Sequence, residues 1–152
     1  DYPVLALVPK VAKSELGARV SDAEVARTTE LLAQANGPIL VAGHYPLLDK
    51  THGYEMTQDR RLRNAAALRD ALGKSGKRIL YIAGHVHRFS YVRDPDFENL
   101  SHLCTGAFFG RNTRENIDGE FAEIIQENHE ITIARHTHAR AWRSQFIAMG
   151  HA

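Results

Sequence analysis

Two apolar runs along this chain end in the same three letters. Ile39-Leu40-Val41-Ala42 leads into Gly43-His44, and Ile79-Leu80-Tyr81-Ile82-Ala83 leads into Gly84-His85. A short apolar run closed by a turn residue predicts a buried strand. Val4–Val8 predicts another, followed by a loop to about Val20. Ser21-Asp22-Ala23-Glu24 has the form of a capping box. In it Ser21 accepts from a free N–H of the first turn and Glu24 reaches back. Val25, Thr28, Leu32 and Ala35 then recur at helical spacing, and Asn36-Gly37-Pro38 closes the helix. Residues 45–58 read as a long polar loop. A second helix is predicted from Asp59 to Lys74, with Leu62, Ala65, Ala66, Arg69 and Leu72 along one stripe. Strand, helix and strand make a βαβ unit with a right-handed crossover. That topology brings both Ala-Gly-His ends to one edge of a parallel sheet.

After His87 the texture changes. Phe89–Arg93, Leu100–Thr105, Phe121–Gln126 and Ile131–Arg135 read as shorter strands, with turns at Asp94-Pro95-Asp96 and Glu127-Asn128. This part is expected to be antiparallel. Trp142, Phe146 and Met149 have the 3–4 spacing of a short helix packed on the body. The expected class is α/β, a parallel βαβ core followed by antiparallel strands.

Composition narrows the function classes. With 152 residues, 43% hydrophobic and 24% charged, the chain is long enough for one domain with a core. A net charge of +1 argues against a dedicated nucleic-acid or acidic-membrane surface. No apolar stretch approaches the roughly 20 residues of a membrane span. The single cysteine, Cys104, reads as a buried inert thiol and fits a reducing compartment such as the cytoplasm. The chain opens on Asp1-Tyr2-Pro3 with neither an initiator Met nor a signal-peptide pattern, so a fragment or a processed chain is expected.

The candidate chemistry lies in the histidines. The second apolar run continues as Gly84-His85-Val86-His87. In an extended segment that spacing puts His85 and His87 on one face. His44, delivered by the neighbouring strand, makes a third imidazole at the sheet edge where open α/β sheets place ligands. Neutral imidazole is a common ligand for Zn, Fe and Mn, so the three together suggest a metal site.

Gly43-His44-Tyr45-Pro46, followed 41 residues later by Gly84-His85-Val86-His87, resembles the calcineurin-like metallophosphoesterase superfamily. The nearest flavour is its purple-acid-phosphatase-like and cyclic-nucleotide-phosphodiesterase-like enzymes. Ser21-Asp22 opening a helix and the later Thr105-Gly106-Ala107 fall in the same order. The resemblance implies a dinuclear centre of transition-metal ions (Mn, Fe or Zn), with His44 and His85 on the second metal and His87 on the first. It implies hydrolysis of a phosphoester substrate, a monoester or a diester, by a metal-activated water. Tyr45, Asp49, His52, Tyr54 and Arg88 flank these ligands and are the candidates to shape the substrate pocket.

The family's Asp-x-His, Gly-Asp and Gly-Asn-His-Asp/Glu motifs are missing from this sequence. Three nitrogens without a bridging carboxylate offset little of the charge of two metal ions. The chain therefore reads as the C-terminal half of a layered α/β sandwich, with weak activity or none by itself. The missing N-terminal half, a partner chain or self-association is expected to cover its exposed apolar face. The competing reading is a non-catalytic binding or structural subunit, or an inactive fragment, that keeps the histidines. Other features carry less. His136-Thr137-His138 reads as a solvated strand, and Arg111-Asn112-Thr113-Arg114 as a polar loop. Glu123, Glu127 and Glu130 read as the wet face of an antiparallel pair. Ser90, Ser101 and Ser144 lack the context of a serine nucleophile.

Overall fold

The computed structural model of the chain describes residues 4–6, 18–51, 54–55, 61–109, 117–127, 130–139 and 141–149. Elements run β1 (Val4–Ala6), α1 (Asp22–Gln34), β2 (Ile39–Ala42), β3 (Lys50–Thr51), β4 (Tyr54–Glu55), α2 (Ala65–Lys74), β5 (Ile79–Ala83), β6 (Phe89–Arg93), β7 (Leu100–Thr105), β8 (Gly119–Glu127), β9 (Glu130–His138) and β10 (Trp142–Ala148). The fold is α/β. A five-stranded sheet has the order β1-β2-β5-β7-β6, and a three-stranded sheet the order β10-β9-β8. In the first sheet β1, β2, β5 and β7 are parallel neighbours and β6 is antiparallel to β7. The second sheet is antiparallel throughout.

Strand alternation sorts the core into two layers. Ile39 and Val41 of β2, Ile79, Tyr81 and Ala83 of β5, and Leu100 and Cys104 of β7 face Leu32 of α1 and Leu68 and Leu72 of α2. The intervening Leu40, Leu80, Ile82 and Leu103 face Ile131 and Ile133 of β9, with Ala122 and Ile124 of β8 and Ile147 of β10. Helices, parallel sheet and antiparallel sheet therefore stack in three layers. No helix among the described residues is long and apolar enough to cross a membrane.

The Ser21 hydroxyl accepts from the Glu24 N–H at 3.2 Å, and α1 begins at Asp22 as its cap dictates. The βαβ unit is present, with Ile39 to Ala42 of β2 in register with Ile79 to Ile82 of β5.

Several expectations are corrected. The second helix starts at Ala65, six residues later than its sequence signal (Asp59 lies outside the described residues). The Arg63 N–H donates to the Ala18 carbonyl at 2.7 Å and its own carbonyl accepts from Val20, so its backbone is committed to a bridge with Arg19. Asn64 then turns the chain in the left-handed region at φ 69°. The 45–58 loop contains the short antiparallel pair β3–β4. β7 joins the parallel core beside β5 rather than an antiparallel half, as its near-continuous burial requires. β8 and β9 are longer than predicted, at nine residues each. The tail is a strand, not a helix: β10 pairs with β9 from Trp142 opposite His138 to Ala148 opposite Thr132. Leu7-Val8 of the predicted first strand and residues 111–114 lie outside the described residues.

Candidate metal centre

Each histidine turn follows from how its strand ends. Beyond Ala42 the Gly43 N–H still donates to the Ile82 carbonyl at 2.8 Å, so β2 stays tied to β5 for one more residue. Beyond Ala83 the Gly84 N–H donates to the His44 carbonyl at 3.1 Å. The two exits are thereby laced together at the C-terminal edge of the parallel sheet, where the chain leaves both strands. His44 Nε2 and His85 Nδ1 come within 3.2 Å. The His44 and His85 rings stand nearly edge-on, with centroids 5.1 Å apart at 75°. Tyr45 completes the cluster, its ring 4.8 Å from that of His44 and 4.4 Å from that of His85.

The His-x-His segment is not extended. His85 and His87 both sit in the left-handed region, at φ 61° and 51°, around the buried Val86. The Val86 N–H donates to the Gly84 carbonyl at 2.7 Å, a tight local turn. The one-face rule of a strand therefore does not apply, and His87 is exposed two residues beyond His85. Non-glycine residues at positive φ persist where surrounding contacts over-determine them, and such strain gathers at functional sites.

One of those contacts is a residue that sequence reasoning passed over. Glu120 is only 1% exposed. Its Oε1 accepts from the Phe89 N–H at 2.7 Å, which fixes the end of the histidine loop. Its Oε2 accepts from Arg135 Nε at 3.1 Å and Nη2 at 2.6 Å, and the guanidinium lies 5.0 Å from the Phe89 ring centroid. Gly106, at φ 85°, passes close over this carboxylate, and a Cβ there would lie 2.3 Å from Glu120 Cγ. The signal was parity: Glu120 shares its face of β8 with the inward Ala122 and Ile124.

A second polar cluster lies under the helices. Arg69 Nε donates to Asp94 Oδ2 at 2.7 Å, and its Nη2 reaches Asp94 Oδ1 and Asp96 Oδ2. His102 Nε2 meets Asp94 Oδ2 at 2.7 Å. Burial works to raise the Asp94 carboxyl, but hydrogen bonds from Arg69, His102 and the Asp96 N–H outweigh it and hold it well below the usual range. Burial lowers the His102 imidazole against the pull of Asp94. A charged Asp94 only accepts, so Nε2 of a neutral His102 carries the proton. With Asp94 and His102 both buried, this network braces α2 against the β6–β7 turn.

The other candidates are scattered. Asp49 pairs with Arg61 at 3.0 Å. Arg88 is half-buried beside His87. His52 and the side chain of Tyr54 lie outside the described residues. In the second His-x-His, His136 Nε2 meets Glu123 at 2.9 Å, Ser144 meets its Nδ1 at 2.8 Å, and its ring stacks on Phe121. His138 packs on Trp142. Burial pushes the Cys104 thiol up, as suits an inert core residue.

The spacing of the His44–His85 pair fits a metal ion. Two imidazole nitrogens, each about 2.1 Å from one tetrahedral ion, lie about 3.4 Å apart, close to the 3.2 Å between His44 Nε2 and His85 Nδ1. The number of donors is smaller than a complete site requires. Among the described residues, no group of three or more His, Cys, Asp or Glu side chains is placed to hold an ion.

No family model matches the chain, and no curated protein matches it. Among solved structures it is similar to the crystal structure of a dimetal phosphatase from Danio rerio, with a TM-score of 0.60 and 14% identity. The similarity covers 86% of this chain and 38% of that one, so this chain spans well under half the length of its structural neighbour. The arrangement of helices and sheets is thus shared with part of a dimetal phosphatase.

Proposed function

We propose that this chain is the histidine-bearing part of a metal-dependent phosphoester hydrolase with a dinuclear centre. The carrying observation is the 3.2 Å approach of His44 Nε2 and His85 Nδ1 at the ends of adjacent parallel strands. The fold it shares with a dimetal phosphatase supports the reading. On this reading His44 and His85 hold one ion, and His87 reaches the other. The ions, when bound, polarise the phosphoryl oxygens and lower the pKa of a bound water. Tyr45 backs the His44 and His85 rings, and Arg88 and Asp49 are the described side chains proposed to contact the ester. The carboxylate ligands come from further polypeptide, and that polypeptide covers the exposed rings of Phe108, Phe109, Trp142 and Phe146.

The test is titration of the chain with Mn²⁺ or Zn²⁺ by calorimetry, followed by assays on monoaryl and bis-aryl phosphates. The expected outcome is binding that depends on His44 and His85, with slow metal-stimulated hydrolysis that His85→Ala abolishes. Binding without any metal-stimulated turnover favours a non-catalytic subunit. Binding that survives the His44→Ala/His85→Ala double substitution overturns the metal assignment.

A further inference from the structure

We infer that Tyr81 is a positioning residue for the His44–His85 pair, an inference that rests on the metal-binding reading above. Tyr81 lies in the middle of β5, 1% exposed, on the helix side of the sheet. Its hydroxyl donates to the Tyr45 carbonyl at 2.8 Å, reaching from β5 to the turn that follows β2. Burial, with Cys104 nearby, pushes the phenol above its ordinary value, so it remains a protonated donor at every working pH. Gly43 closes over it: a Cβ at that position would lie 2.3 Å from the hydroxyl oxygen. The turn can settle onto the phenol only because residue 43 has no side chain.

Three tethers then fix the backbone around His44. The Gly43 N–H donates to Ile82, the Gly84 N–H to His44, and Tyr81 to Tyr45. All three run to β5 or its exit, the segment that carries His85. The Tyr81 tether also fixes the residue whose ring packs 4.4 Å from that of His85. A phenylalanine would fill the same volume in the core. The hydroxyl is what distinguishes tyrosine here, and its hydrogen bond goes to the histidine turn. Groups behind metal ligands set their orientation, and losing one typically costs 10–100-fold in affinity.

The experiment compares the wild-type chain, Tyr81→Phe and Gly43→Ala at a temperature where denaturation curves show each to be folded. Co²⁺ affinity is read by calorimetry and by the visible absorption of the bound ion. Amide exchange at Gly84 is read by NMR without metal. Tyr81→Phe is expected to weaken Co²⁺ binding by about tenfold, to alter the absorption band, and to speed Gly84 exchange. Gly43→Ala, which pushes the phenol aside, is expected to act in the same direction. Unchanged Co²⁺ affinity together with unchanged Gly84 exchange in Tyr81→Phe overturns the inference. If the wild-type chain binds no Co²⁺, the metal reading fails, and Gly84 exchange alone then decides whether Tyr81 holds the turn.

Discussion

His102 shows how one residue can set the acid limit of this fold. In the unfolded chain its imidazole takes a proton near pH 6.5. In the folded chain burial lowers that value, so the unfolded state binds more protons and stability falls as pH drops below about 6.5. Asp94, whose folded value is depressed, contributes stability above about pH 4 that is lost at lower pH. Thermal melts from pH 7 to 5 should therefore show a falling midpoint, and His102→Gln should flatten that part of the profile. A slope left unchanged by His102→Gln would mean that this imidazole binds its proton equally in the folded and unfolded chains. Neither residue stood out as a site in the sequence. His102 lies inside an apolar run, and Arg69 was legible only as a charged residue on the buried stripe of its helix. What makes them partners is a contact across 25 residues between Arg69 and Asp94.

At the scale of elements, the helices and strands follow the apolar pattern except where tertiary hydrogen bonds compete. α2 is the example. Its stripe continues back to Leu62, yet the helix waits for Ala65 because the Arg63 backbone is already paired. Asn64 makes the transition at positive φ, and its amide donates to Asp22 Oδ1 at 2.6 Å and to the Val20 carbonyl at 3.4 Å. Asn64→Ala is expected to cost about 1–2 kcal/mol, since alanine pays the left-handed penalty in full. Asn64→Gly should cost less, because it relieves the backbone while dropping the same hydrogen bonds. Urea midpoints measure both, and equal losses would place the cost in the amide contacts. β10 is the opposite case. Trp142 and Phe146 are four apart, a spacing that puts them on one face of a helix or of a strand alike. The open edge of β9 resolves that ambiguity by supplying partners for the backbone.

At the scale of the whole molecule, the two core layers leave one side under-covered. Phe109 is 93% exposed and packs on Phe108, which stacks on Trp142, and Phe146, on the same face of β10 as Trp142, is 64% exposed. Apolar surface gathered in this way is a mark of association. On the proposal that further polypeptide covers it, sedimentation of the lone chain should show a mass that rises with concentration. The Phe109→Ser/Phe146→Ser pair should suppress that rise without lowering the melting temperature, since neither ring belongs to the buried core. A monomer at every concentration would count against self-association. The sequence alone determined the α/β class, the βαβ unit and the arrival of His44 and His85 at one sheet edge. Those follow from local periodicity, from strand ends marked by glycine, and from the handedness of the crossover. Only the tertiary structure decided that β7 joins the parallel sheet, that the tail is a strand, and that the His-x-His turn is left-handed. It alone revealed the buried partners Tyr81 and Glu120 beneath the histidine loops. Their roles are hydrogen bonds to backbone 36 and 31 residues away, and no local pattern encodes a partner at that distance.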